Sequence, residues 1–335
     1  MTSRLSAFKP TLRHLCSLDV SIVPKPRQME SNRMAMPNFI VIGAGKSGTT
    51  ALYRYLEQHP QVYMSPVKET NFFALDGKKA DFRDPSAAQR INSWSVTRLK
   101  DYQALFDRAS GEAALGEASP LYLYDARTAG RIRHYLPDAR LIVVLRNPAE
   151  RAHSAFTHLV RDGLEPHADF GRALAQEDQR VADHWSWIWH YKRMGFYYEQ
   201  LNRYYDLFDR EQIAVYLYED LKSDPANVVV DIFRRLGIDP QFRPDTSVRF
   251  NRSGVPKSKA LHSFLMRSSP LKAPFKRFIP TGVRKRLVAD LRNRNLREPP
   301  RLSQEMRLSL AEAYRDDVLK LQDLIQRDLT GWLEP

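Results

Sequence analysis

Cysteine is almost absent: Cys16 is the sole one in 335 residues, so the chain can build neither an intrachain disulfide nor a thiolate metal cluster. That usage fits a reducing compartment, and a cytoplasmic location is the expectation. Long apolar runs are missing too. Leu141 to Leu145 is typical of those present, far short of the roughly 20 residues that cross a bilayer, and no transmembrane segment is expected. Arg4, Lys9, Arg13, Lys25 and Arg27 are followed by no uninterrupted apolar stretch. This argues against a secretory signal and stays compatible with an organellar transit peptide. No internal repeat or low-complexity tract is visible, which excludes solenoid and fibrous architectures. Acidic residues are in deficit, with Asp and Glu at 39 against 52 Lys and Arg, a net charge of +13. From Lys257 to Arg307 the imbalance sharpens to 14 Lys/Arg against 3 Asp/Glu. Such a stretch is either a plain solvated surface or a docking face for an anionic polymer, a nucleotide or a membrane.

What is present reads as a globular protein, 43% hydrophobic and 27% charged. Residues 1–36 carry no sustained periodicity and are expected to form a loosely ordered extension. Residues 37–335 are expected to form one domain, with a basic excursion near 256–300 and a closing helix near 303–328. Asn38 to Ile42, Leu141 to Leu145 and Ile213 to Leu217 are short apolar runs suited to buried strands. Helical patterns cover Glu150 to Val160, Tyr197 to Phe208 and Pro225 to Leu236, the last opened by Asp224 and Pro225 as N-cap and first-turn residues. The closing helix presents Leu308, Ala311, Tyr314, Val318, Leu321 and Ile325 on one side. Strands alternating with helices predict an α/β fold of three layers, a mainly parallel sheet covered on both faces.

Between the first strand and the helix after it lies Gly43-Ala44-Gly45-Lys46-Ser47-Gly48-Thr49-Thr50. Small residues let the backbone curl so that its N–H groups converge, the helix start adds positive potential, and Lys46 adds a full charge. This is a phosphate cradle. A nucleoside-triphosphatase loop would need glycine where Ile40 stands. It would also need an acidic magnesium ligand after a neighbouring strand. Leu141 to Leu145 leads instead into Arg146, which attracts a second anion and repels a metal.

Together these segments resemble the sulfotransferases that use 3′-phosphoadenosine 5′-phosphosulfate, from about residue 37 to the C-terminus. Phe39 to Thr50 resembles that family's 5′-phosphosulfate loop, and Leu145 to Phe156 its 3′-phosphate segment, with Arg146 and Ser154 at matching positions. Val67-Lys68-Glu69-Thr70-Asn71-Phe72-Phe73 resembles the base-bearing segment of the carbohydrate-modifying branch. Gly116-Glu117-Ala118-Ser119-Pro120 and Tyr218-Glu219-Asp220-Leu221 are also family-like. Two departures stand out: Ala118 replaces a lysine usual in the heparan-type enzymes, and Asn251 to Pro256 lacks the cysteine of their basic glycine loop.

The resemblance implies a P-loop-like domain and a metal-free sulfuryl transfer that leaves 3′-phosphoadenosine 5′-phosphate. Lys46 would neutralise the leaving group, while Ser47, Gly48, Thr49 and Thr50 hold the 5′-phosphate. Arg146 and Ser154 would bind the 3′-phosphate, and Arg252, Ser253 and Gly254 would contact the nucleotide. Glu69 is the expected general base, with Phe72 and Phe73 limiting water around it, and His153 and His158 are alternatives. Lys68, Trp185 and Trp189 are candidate acceptor contacts, although Trp185, Trp187 and Trp189 fit a core cluster as well. A glycan or sugar-containing metabolite is the expected acceptor. The rival readings are a P-loop kinase and a basic nucleic-acid-binding protein. The first lacks its magnesium ligand and the second leaves residues 43–50 unexplained, so no nucleic acid is expected as a partner.

Overall fold

The computed structural model describes residues 35–248, 254–258 and 295–334. The expected extension and most of the basic excursion lie outside them, as do Arg252 and Ser253. In chain order the elements that place the site are β1 (Phe39–Gly43), α1 (Thr49–Leu56), β2 (Val62–Met64), β3 (Ala114–Ala118), α2 (Thr128–Tyr135), β4 (Arg140–Leu145), α3 (Pro148–Arg161), α4 (Tyr197–Tyr205), β5 (Ile213–Leu217), α5 (Pro225–Leu236), β6 (Val255–Pro256), β7 (Leu296–Arg297) and α6 (Gln304–Ile325).

Strands β1 to β5 form one wholly parallel sheet in the order β2-β3-β1-β4-β5. Successive side chains of a strand point to opposite faces, and the central strands are apolar on both. Phe39, Val41, Ile142 and Val144 pack with α1 and α5 on one face. Ile40, Ile42, Leu141, Val143 and Leu145 pack with α2, α3, α4 and α6 on the other. The expected three-layer α/β fold is therefore what forms. Beside it, β6 and β7 make a two-stranded antiparallel pair, and no helix among the described residues is long and apolar enough to cross a membrane.

Three elements depart from expectation. Strands β2 and β3 were not visible as apolar runs, because β2 is three residues long and β3 carries Gly116 and Glu117. On α6, Leu308 is 47% exposed and Leu310 is buried with Ala311, Tyr314, Val318 and Leu321. Steps of four from Leu310 to Tyr314 and Val318 keep to the 3.6-residue period, whereas Leu308 sits about 200° away from Leu310.

The order of the sheet creates the site. After β1 the chain passes to α1 on one face, and after the neighbouring β4 it passes to α3 on the other. The two connections diverge and leave a crevice at the C-terminal edge of the sheet, the usual place for a ligand in such folds.

Candidate active site

Gly43 passes so close to Leu123 that a Cβ would lie 2.6 Å from the Leu123 Cβ, so only glycine fits. The Ala44 amide donates to the Val144 carbonyl (2.8 Å) and the Leu123 amide to the Ile42 carbonyl (2.9 Å). Held on both sides, the chain turns through left-handed backbone at Lys46 (φ 72°) and Gly48 (φ 90°). For a lysine that conformation costs on the order of 1 kcal/mol and persists only where its surroundings impose it. Helix α1 then starts at Thr49 with no side chain capping its first amides, which leaves them and the helix dipole for an anion. Ser47 is wholly buried, and its hydroxyl has no hydrogen-bond partner among the described residues. A phosphate oxygen is the acceptor such an orphan needs. Thr49 is buried and Thr50 half-buried on the first turn.

The Lys46 ammonium is held at a pKa of about 8. Burial is the main cause, Arg161 and Arg146 add repulsion, and Asp162 and Glu69 pull the other way. Four charged groups therefore surround the lysine. Two of them, Glu69 and Arg146, were expected, while Arg161 and Asp162 were not. The signal for Arg161 was nonetheless present: Glu150, Ser154, His158 and Arg161 follow at spacings of four, four and three, a polar stripe along α3. The Arg161 guanidinium is anchored by His158 Nδ1 (2.6 Å) and by Asp162 (2.9 Å). His158 is engaged in this cluster, and His153 packs its ring on Phe170 at 5.3 Å, with burial lowering its pKa.

Arg146 leaves the end of β4 and reaches back over the loop. Its guanidinium donates to the Lys46 carbonyl (3.3 Å), pairs with Glu150 (3.4 Å) and stacks on the Tyr218 ring at 4.7 Å. The stacking is worth on the order of 1 kcal/mol. Glu150 is shared with Arg307 of α6. Asn147 caps α3 by accepting from the amides of Ala149 (3.0 Å) and Glu150 (3.2 Å), and Pro148 opens the helix. The cap contributes about 1 kcal/mol, and the half-buried Ser154 follows on the same helix, about two turns after Arg146. Strand β6 packs against α3, with Gly254 buried beside it.

Glu69 sits on a loop at the end of β2, in left-handed backbone (φ 63°), with its amide donating to the Ala118 carbonyl (2.9 Å). Lys68 Nζ holds one carboxylate oxygen at 2.5 Å. The carboxylate is 45% exposed. Phe72 and Phe73 do not screen it: both are fully buried, packed on Tyr102 and Tyr122 in the core. Their apolar rings turn away from Glu69 because the helix they start, Phe72–Leu75, buries all four of its residues.

Beyond the loop lies a cleft of about 1040 Å³ between segments 74–82, 121–127 and 181–203. Lys78, Lys79, Arg127, Arg193 and Arg203 bring cations to it, and Trp185, Trp187 and Tyr124 bring aromatic surface. Trp185 is thus placed on the cleft. Trp189 is placed behind it, 2% exposed and edge-on to Trp185 at 5.2 Å, so it supports the wall without lining it. His190 bonds Tyr124 OH through Nδ1 (2.8 Å), and burial lowers its pKa to about 4. Its Nε2 has no partner among the described residues. Met194, the neighbour in sequence of the cleft-lining Arg193, has its methyl 4.0 Å from where a Gly45 Cβ would stand. Among the described residues no three His, Cys, Asp or Glu side chains converge as a metal site would require.

Comparison with known proteins places this geometry. The model described as the sulfotransferase family matches residues 37–243. The crystal structure of a sulfotransferase from Alicyclobacillus acidocaldarius is 34% identical with a TM-score of 0.69, covering 89% of this chain and 99% of that one. The bifunctional heparan sulfate N-deacetylase/N-sulfotransferase 4 of Mus musculus is 24% identical over 306 residues, 89% of this chain and 31% of that protein. The membrane-associated sulfotransferase kil1 of Dictyostelium discoideum is 35% identical over 128 residues, 38% of this chain and 24% of that protein. This chain thus spans about a quarter to a third of the length of these curated relatives. With the family model matched over more than half of its length, and with the phosphate loop and its arginine inside that match, the chain belongs to the sulfotransferase family.

Proposed function

We propose that the chain transfers the sulfuryl group of 3′-phosphoadenosine 5′-phosphosulfate to a hydroxyl or amine of a carbohydrate. The observation that carries this reading is the bond from the Arg146 guanidinium to the Lys46 carbonyl. It joins two phosphate-binding cations across one crevice, which suits a donor with phosphates at both its 3′ and 5′ positions. A lone 5′-phosphate would not need a second cation at the end of β4.

The residues act as follows. The loop amides and the Ser47, Thr49 and Thr50 hydroxyls hold the 5′-phosphate, and Arg146 with Ser154 holds the 3′-phosphate. The acceptor atom forms its bond to sulfur as the bond between sulfur and the 5′-phosphate oxygen breaks. The electron pair stays on that oxygen, where Lys46 meets the growing charge. Lys68 fixes one oxygen of Glu69, leaving the other to take the acceptor proton. Positioning and charge stabilisation supply the catalysis, as in phosphoryl transfer.

The cleft supports the acceptor class. Indole and phenol surfaces stack on sugar rings, and Lys78 and Lys79 offer charge to an acidic saccharide, while Arg127, Arg193 and Arg203 are paired with Asp125, Asp178 and Glu199. Two relatives carry names that point the same way: the heparan sulfate enzyme above and human carbohydrate sulfotransferase 15, 25% identical over 248 residues, which are 61% of this chain and 44% of that protein.

Calorimetric titration with 3′-phosphoadenosine 5′-phosphate, with AMP as control and EDTA present, tests the donor. Micromolar binding of the bisphosphate, weak binding of AMP and loss of the difference in Arg146→Ala are expected. Equal binding of the two nucleotides, or preference for ATP with magnesium in a run without EDTA, overturns the reading.

A further inference from the structure

A buried carboxylate that the mechanism leaves unused stands directly behind the base. Glu117 of β3 is completely buried and accepts four hydroxyl hydrogen bonds. Tyr122 OH (2.8 Å) and Tyr102 OH (3.0 Å) reach one oxygen, and Ser119 Oγ (2.8 Å) and Thr70 Oγ1 (2.9 Å) the other. None of the four is a cation. Burial pushes its pKa up while the hydroxyl donors pull it down. A group that serves packing alone is better made apolar, because a buried carboxylate needs every lone pair satisfied.

Its donors reveal what it holds. Thr70 is the residue after Glu69, and the backbone around it is doubly strained: Glu69 (φ 63°) and Asn71 (φ 52°) are both left-handed without being glycine. Three amides around Thr70 are tied down. Glu69 donates to the Ala118 carbonyl (2.9 Å), Asn71 to Ser119 Oγ (3.3 Å) and Phe72 to Thr70 Oγ1 (3.4 Å). Two of those acceptors, Ser119 Oγ and Thr70 Oγ1, are the hydroxyls that bond Glu117. The other end of the network reaches the phosphate loop. Ile40 lies opposite Glu117 in the sheet, and the Ser119 amide donates to the Val41 carbonyl (3.1 Å), two residues before Gly43.

We infer that Glu117 is a positioning residue for sulfuryl transfer, holding the strained Glu69 loop in register with the strand that carries Lys46. The inference rests on Glu69 as the base. Without the four-hydroxyl hub the loop relaxes toward ordinary backbone, and the carboxylate leaves the lysine whose charge it offsets.

The test uses the whole chain with Glu117→Gln, Thr70→Val and Thr70→Ser. An amide cannot accept four hydroxyls, Val removes one donor, and Ser restores it. Sulfuryl transfer is followed as bisphosphate released from the donor, with a glucosamine–glucuronate oligosaccharide as acceptor. In Glu117→Gln, kcat is expected to fall by about ten- to a hundred-fold, the cost of a displaced reacting group. Bisphosphate affinity at pH 7 stays within about twofold, since the donor contacts are untouched. Thr70→Val falls in the same direction and Thr70→Ser recovers. A readout free of any acceptor is the alkaline midpoint of bisphosphate affinity, set by Lys46. Moving the Glu69 carboxylate away in Glu117→Gln, or neutralising it in Glu69→Gln, lowers it by about half a pH unit. Unchanged kcat in folded Glu117→Gln, or an unmoved midpoint, overturns the inference. A lower melting temperature with normal kcat shows a structural role only. If Glu69→Gln itself is fully active, the base assignment falls and this inference with it. If Glu69→Gln is inactive while Glu117→Gln is normal, only the inference falls.

Discussion

The two halves of the crevice are built on different principles. The half proposed for the donor is local: eight consecutive residues, one helix start and one arginine at the end of the strand beside β1 offer backbone amides and fixed charge. The cleft proposed for the acceptor is assembled from segments as distant as Lys78, Tyr124, Trp185 and Arg203. The candidate base, Glu69, precedes Thr70, one of the four hydroxyl donors to Glu117 in a hub with Tyr102, Ser119 and Tyr122. Anion recognition needs converging donors at one point, which a short loop provides. Acceptor recognition needs area, which only folding brings together.

That contrast can be broken. Removing the charge at the centre of the donor half, Lys46→Ala, is expected to lower kcat/KM by about a thousandfold or more, the scale of losing a preorganised charge at a developing anion. Bisphosphate binding should weaken in the same variant, measured by calorimetry. A small effect on both would mean that Arg146 and the loop amides suffice.

It can be sharpened by pH. The free Lys46 pKa of about 8 lies below its ordinary value, and an arriving phosphate raises it again. Near pH 8.5 binding should therefore take up roughly half a proton or more, and near pH 6.5 none, because the lysine is then already charged. Affinity accordingly falls as pH rises through 8. Titration in buffers of different ionisation enthalpy reads this directly, and Lys46→Arg should abolish the uptake.

The smallest effect belongs to the acceptor half. Trp185→Ala removes one stacking face from a wall with several, so the acceptor KM should rise about tenfold while the donor KM stays put. A change in donor KM instead would show that the cleft and the loop are not separate subsites.

Legibility in the sequence follows the same divide. Strands β1, β4 and β5 were visible to within a residue, because buried parallel strands are continuous apolar runs. Strand β3 was hidden because its middle is Gly116, which lies so close under the Phe39 ring that a Cβ would sit 2.0 Å from it, and Glu117, a charge inside a core. Arg146 stood out as a cation where a magnesium ligand would be. Phe72 and Phe73 misled, since aromatic residues next to an acid in sequence need not face it. The tryptophans were read as a core cluster or an acceptor wall, and they divide: Trp189 is core and Trp185 and Trp187 line the cleft, once the chain turns through the short helix Trp187–Trp189.

The amino-acid sequence by itself determined the phosphate loop, the apolar strands β1, β4 and β5 as segments, and the family resemblance, because each is carried by residues close together in the chain. Only the tertiary structure decided that Arg161 and Asp162 act on Lys46, that Glu117 gathers four hydroxyls beside the loop of Glu69, and that Lys78, Tyr124, Trp185 and Arg203 line one cleft. The physical reason is burial. A carboxylate or a lysine takes its properties from what removes it from water, and those groups arrive from parts of the chain dozens of residues away.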